Sequence, residues 1–197
     1  WNLDEYADDG VAVPETHPLS YRRYMKENFF NRLDPERGFT AEQYHFPDPE
    51  DPEGFDKALA DAGNLDLQLL GIGFNGHIAF NEPGSSLTSR TRVKSLTTDT
   101  IIANSRFFNN DINQVPKTAL TVGVGTVMDS KEVMILANGH GKARALAQVI
   151  EGSVNHMWTV SALQLHPKGI IVCDDLATYE LKVGTVNYFK DIEKDNL

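Results

Sequence analysis

Cysteine is nearly absent from this chain. Cys173 is the only one in 197 residues, so no internal disulfide can form. A cytoplasmic protein is therefore expected. Long apolar runs are missing too, and no stretch approaches membrane-spanning length. The opening residues WNLDEY lack the charged-then-apolar pattern of a leader. Basic charge is scarce: 18 Lys and Arg stand against 28 Asp and Glu, a formal net charge of −10. Such a surface disfavours nucleic acids and anionic membranes. It leaves room for a small anion in a local basic pocket. Neither a dinucleotide-binding glycine fingerprint nor the Gly-Lys-Ser/Thr of an NTP-binding loop occurs at the glycine-rich turn. His77 and Glu82 do not have zincin spacing, and Cys173 has no partner cysteine, so no metal is expected.

Hydrophobic and charged fractions of 41% and 23% are those of a globular domain. The length suits a single α/β domain over 1–197. Trp1 to Leu3 read like the end of a buried strand. On that reading the chain begins inside an element and is truncated at its N-terminus. Thr16 can cap a helix in which Tyr21, Tyr24, Met25 and Phe29 recur at helical spacing. Residues 34–54 are rich in Pro, Gly and acids and read as a surface connection with one short strand near Gln43 to Phe46. A helix over 52–62 leads to the strand LDLQLL (65–70). KEVMILANG and GIIVCDD read as buried strands, KARALAQVIEG and KVGTVNYFKDIEK as helices. Short apolar strands alternating with helices predict a mostly parallel, Rossmann-like sheet. Ligands then belong beyond the strands' carboxyl ends.

Three stretches at expected strand ends carry chemistry. In GIGFNGHIAFNEPG (71–84), glycines allow positive φ and close backbone approach. His77 is a candidate acid–base group, and Glu82 can orient it. The plainer alternative is a glycine turn with a structural histidine. Asp4 follows Asn2-Leu3 and is suited to general-base work, or to capping a turn. In ANGHGKARAL (137–146), free N–H groups at a helix start with Lys142 make an anion site, or an ordinary turn. SRTRVK and NSRFF add arginines suited to phosphate, or to a solvated basic face. His156 and Trp158 are expected to pack between helices, and His166 to end one.

Together, WNLDEY, HPLSYRRYM, LGIGFNGHIAFNEPGSSLTSRTRVKSL, ANSRFFNNDINQVPKTALTVGVGTVMD and GSVNHMWTVSALQLHP resemble the glucosamine-6-phosphate deaminase family. The likeness runs along nearly the whole chain, and its His-Ile-Ala-Phe-Asn-Glu-Pro core is highly specific. It implies a three-layer α/β/α fold whose first strand–helix units are missing here. It implies conversion of glucosamine 6-phosphate to fructose 6-phosphate and ammonia without metal or organic cofactor. Asp4 matches the base that takes the C2 proton, His77 the ring-opening acid/base, and Glu82 the carboxylate that holds it. Asn75 stands where other members carry aspartate or asparagine. Arg106 and Lys142 match phosphate ligands, and residues 95–117 match a mobile lid carrying Arg106. Ser85, Ser86, Arg92 and Lys94 match part of an effector site for N-acetylglucosamine 6-phosphate in members that are homo-hexamers. Because the leading units are absent, this stretch of chain is expected to be weakly active or inactive and to fold poorly by itself, while the parent protein is a deaminase. Two other readings use the same residues less fully. One is another sugar-phosphate isomerase or a lactonase of this fold; the other is a sugar-phosphate-binding regulator without turnover.

Overall fold

The computed structural model describes residues 1–197 except Pro35, Arg37, Phe39, Asn196 and Leu197. The surface connection expected over 34–54 includes three of these, and there it lies outside the described residues. The strands are β1 (Asp4–Asp8), β2 (Val11–Ala12), β3 (Leu67–Gly71), β4 (Arg92–Ser95), β5 (Thr118–Thr121), β6 (Glu132–Ala137) and β7 (Gly169–Cys173). The α-helices are α1 (Tyr21–Asn28), α2 (Pro52–Asp61), α3 (Thr98–Ser105), α4 (Val124–Met128), α5 (Ala143–Glu151) and α6 (Val183–Ile192). The chain forms two compact units. The first holds Trp1–Asn64, Ala79–Asn81 and Thr88–Thr126; the second holds Leu65–Ile78, Glu82–Leu87 and Val127–Leu197.

The first unit is built on an antiparallel sheet of order β2-β1-β5-β4. Tyr6, Val13, Phe80, Leu96 and Ala119 form its buried apolar cluster, with Leu19 and Ile101 packed against it. Strand β1 begins at Asp4, so Trp1 to Leu3 precede the strand instead of ending one. Asp4 therefore stands at the amino end of its strand. Helix α1 is capped by Ser20, whose hydroxyl accepts from Arg23 N, and not by Thr16. The reason is Glu5. Its buried carboxylate accepts the N–H groups of Tyr6, Tyr21 and Arg22 and the Ser20 hydroxyl, each at 3.0 Å. Two of those N–H groups are the free donors of the helix's first turn, so the charge sits where the helix dipole favours it. Helix α2 starts at the Asp51 cap with Pro52 behind it and buries Phe55 and Leu59, one turn apart. The short strand expected near Gln43 to Phe46 does not form: Ala41–Gln43 make a 3-10 turn, and Tyr44, His45 and Phe46 follow it in no regular element.

The second unit contains the parallel sheet that the alternating pattern predicts, in order β3-β6-β7. Helix α5 lies in sequence between β6 and β7 and buries Ala143, Ala145, Leu146 and Val149. On one face of the sheet Leu70, Val133, Ile135 and Ala137 are buried; on the other Leu67, Leu69, Leu136 and Val172 are exposed. Alternation along β3 thus buries Gln68, whose side-chain oxygen accepts from Ser130 Oγ at 3.5 Å. His166 ends the 3-10 helix Thr159–Leu165, and its ring lies 2.9 Å from the Ser130 carbonyl oxygen. His156 is exposed; its carbonyl takes the Gly84 N–H at 2.8 Å. The fold is α/β. The four-stranded antiparallel sheet is the feature that the alternation did not announce, because strands of two to five residues carry too little period to reveal their partners.

Glu5→Gln should lower stability by about 2–4 kcal/mol in urea unfolding at neutral pH, because an amide nitrogen would face donors that now meet a carboxylate oxygen. Ser20→Ala should cost about 1 kcal/mol, the ordinary loss of a cap.

Candidate active site

The glycine-rich loop leaves β3 at Gly71 and folds back at once. Gly73 N–H donates to the His77 carbonyl at 2.8 Å, and Gly76 N–H donates to the Gly73 carbonyl at 2.9 Å. Two glycines are required for steric reasons. A Cβ on Gly73 would lie 2.6 Å from the His77 ring, and one on Gly76, at φ +75°, would lie 2.3 Å from Trp158. The missing side chains are the space in which the imidazole and the indole sit. Trp158 therefore packs on the loop. Ala79 also has positive φ, 52°, and the Ile78 N–H is held by Thr159 Oγ1 at 3.3 Å.

Three candidate residues meet in this loop. His77 Nδ1 lies 3.1 Å from Glu82 Oε2, and Asn75 Nδ2 donates to that same oxygen at 3.0 Å. The His77 N–H leans on Asn75 Oδ1 at 3.4 Å. The Glu82 side chain is 2% exposed and that of His77 14%. Binding Nδ1 to a carboxylate fixes the ring's orientation and leaves Nε2 to exchange a proton. Lys142 also reaches the foot of the loop: its Nζ donates to the Ile72 carbonyl at 2.7 Å. It ends the 3-10 turn His140–Lys142 that precedes α5, so the helix starts one residue later than expected. Ser85 is buried with no hydrogen-bond partner for its hydroxyl, and Ser86 is exposed.

In the first unit, Asp4, Thr121 and Arg92 stand in one row across β1, β5 and β4. Thr121 Oγ1 donates to Asp4 Oδ1. Burial pushes the Asp4 carboxyl up to about 7, against the Thr121 hydrogen bond and with a smaller upward push from Glu5. A carboxylate poised there is half ionised near neutrality, as a general base should be. Arg92 Nη1 donates to Asn81 Oδ1 at 2.9 Å and to the Arg90 carbonyl at 3.2 Å. Lys94 is half-buried on the same strand. Arg106 opens the 3-10 turn Arg106–Phe108 after α3, exposed, with its guanidinium 4.9 Å above the Phe107 ring. Residues 95–117 connect the neighbouring strands β4 and β5. Sequence reasoning missed Thr121. Only the antiparallel register puts Thr121 beside Asp4. Among the described residues, no three His, Cys, Asp or Glu side chains gather to hold a metal ion, and no helix is long and apolar enough to cross a membrane.

A family model described as glucosamine-6-phosphate isomerases/6-phosphogluconolactonase matches residues 5–171. The chain belongs to this family. Within it, the glucosamine-6-phosphate deaminase of Phocaeicola vulgatus is 60% identical over 203 residues, covering 100% of this chain and 74% of the relative. That of Bacteroides thetaiotaomicron is 60% identical over 199 residues, covering 100% and 72%. A solved structure described as a monomeric glucosamine-6-phosphate deaminase superposes with a TM-score of 0.80 at 37% identity, covering 91% of this chain and 73% of that one. The 6-phosphogluconolactonase of Trypanosoma brucei gives 0.63 at 16% identity, covering 91% and 72%, a likeness of fold alone.

Gly73→Ala should displace the His77 ring. About a hundredfold loss of turnover is expected, the order that an ångström's misplacement of a catalytic group costs. Unchanged far-UV circular dichroism and a shifted His77 ring resonance would go with it.

Proposed function

We propose that the protein converts glucosamine 6-phosphate and water to fructose 6-phosphate and ammonia. The observation that carries this reading is 60% identity along the whole chain to glucosamine-6-phosphate deaminases. The chemistry then follows from the residues. His77 moves the C1 hydroxyl proton to the ring oxygen, and the sugar opens to the aldehyde. Its Nδ1, bound to Glu82, leaves Nε2 free for that transfer. Asp4 removes the C2 proton, acidic beside the new carbonyl, and the electron pair forms an enolamine. Return of a proton to C1 leaves an imine at C2. Water adds to that carbon, the C–N bond breaks, and ammonia departs. Asn75 donates to Glu82 and carries no charge, so Glu82 is the carboxylate that steadies the imidazolium.

In the same reading Arg106 and Lys142 take the sugar's phosphate, and residues 95–117 are a lid that carries Arg106. Ser85, Ser86, Arg92 and Lys94 recognise N-acetylglucosamine 6-phosphate as an activator in a cytoplasmic homo-hexamer. A monomeric solved relative sets the contrary precedent for assembly. The lactonase reading has only a 16% identical fold likeness behind it. A non-catalytic regulator would need the anion-binding residues but not Asp4, His77 and Glu82.

The purified full-length parent protein given glucosamine 6-phosphate, with no metal added, should release ammonia in step with fructose 6-phosphate. Tight binding without release would overturn the deaminase reading in favour of the regulator. Asp4→Asn should lower kcat by about 10²–10⁴-fold, the worth of a positioned base. The pH dependence follows from the Asp4 carboxyl at about 7. The base must be ionised, so kcat/KM in the free enzyme should fall about tenfold per pH unit below that point. An acidic limb near pH 4 would assign the base elsewhere.

A further inference from the structure

We propose that Thr121 is the positioning residue for the Asp4 base: its hydroxyl holds Oδ1 of the carboxylate and leaves Oδ2 to take the C2 proton. The role of Asp4 rests on the deaminase reading above; the Thr121 contact does not.

The Thr121 hydroxyl is fully buried and has one hydrogen to give. Two acceptors are near, Asp4 Oδ1 and the Val122 carbonyl at 3.3 Å. The carbonyl is the more distant and already receives Asn81 Nδ2 at 2.8 Å. The hydrogen therefore goes to Asp4. On its other side the hydroxyl oxygen accepts the Phe80 N–H at 3.0 Å, which fixes the rotor and sharpens its donation. That N–H is itself held in place. Asn81, the next residue, is bound to the Val122 carbonyl just after β5 and to β4 through Arg92 Nη1. The result is a line of hydrogen bonds from backbone amide to hydroxyl to carboxylate, all in the first unit.

A half-buried carboxylate with one oxygen tied can rotate about its last bond only by breaking that tie, so the other oxygen is aimed. The tie also acts on charge. Burial and the Glu5 carboxylate both disfavour ionised Asp4, and the Thr121 hydrogen bond favours it. Of the other groups acting here, Tyr6 on β1 and Tyr21 on α1 are phenols held far above their ordinary range, chiefly by burial, and hence neutral. The Arg92 guanidinium on β4 is engaged by Asn81 and the Arg90 carbonyl. Thr121 is thus the donor on which the base's charge depends. A valine would fill the same volume in the strand and lack only the hydroxyl.

The test compares Thr121→Val, Thr121→Ala and Thr121→Ser with the wild type, by pH profiles of ammonia release and by carbon-13 titration of the Asp4 carboxyl in the resting protein. The Val variant should move the acidic limb of kcat/KM upward by about one pH unit, as loss of a hydrogen bond to a charged group does. Its kcat should fall about tenfold with KM within twofold, and the Asp4 resonance should titrate correspondingly higher. Serine should restore all three. The alanine variant gives the same reading if valine unfolds the sheet. An acidic limb and an Asp4 titration both unchanged in folded Val or Ala variants would overturn the proposal. If the wild type releases no ammonia, the deaminase reading falls by itself. The Asp4 titration then decides alone: an upward move upholds the tie to Thr121, and none overturns it.

Discussion

A carboxylate withdrawn from water must meet donors wherever it lies, and among the described residues Glu5 and Glu82 are so buried. Glu5 meets three backbone N–H groups and a hydroxyl; Glu82 meets the His77 ring and the Asn75 amide through one oxygen. Each arrangement dictates the backbone around it. Glu5 sets where α1 begins, since the helix's first N–H groups are the donors it uses. Glu82 sets the orientation of His77. The buried charge is thus less a source of net stability than a demand for one geometry.

Asp4 obeys the same physics with a different outcome. It has one hydroxyl where Glu5 has four donors, and its carboxyl is driven up to about 7. Neighbouring residues on one strand point to opposite faces, so a well-satisfied acid and a poorly satisfied one can follow each other in sequence. The first fastens the helix. The second remains available to take a proton near neutral pH. Their difference lies in the donors within reach and not in the residue type.

Close approach is the other constraint. Gly73 and Gly76 leave room for the His77 and Trp158 rings, and Gly123 lies so near the Ser89 carbonyl that a Cβ there would be 1.9 Å from its oxygen. Each absent side chain admits a specific neighbour. The Ser89 segment is further held by the Val124 N–H on its hydroxyl at 3.0 Å and the Gly125 N–H on its carbonyl at 2.9 Å. Asp56 secures the adjoining Thr91 and Thr126 with hydrogen bonds of 2.6–2.9 Å. The SRTR and GVG motifs are therefore legible as one packed turn, and a stretch that reads as a basic face has a structural half.

The sequence by itself determined the α/β class, the β6–α5–β7 order, the helix expected over 52–62 and found as α2, and the His77–Glu82 pairing five residues apart. These depend on local period, capping residues and short separations, all of which a linear reading contains. Tertiary structure alone decided that Asp4 opens its strand, that Ser20 caps α1, that β1, β2, β4 and β5 form an antiparallel sheet, and that Thr121 stands beside Asp4. Those facts rest on register between strands 117 residues apart and on which donors a buried acid finds. Four-residue strands carry too little pattern to specify either, because their pairing is chosen by the shared core they bury and not by their own sequence.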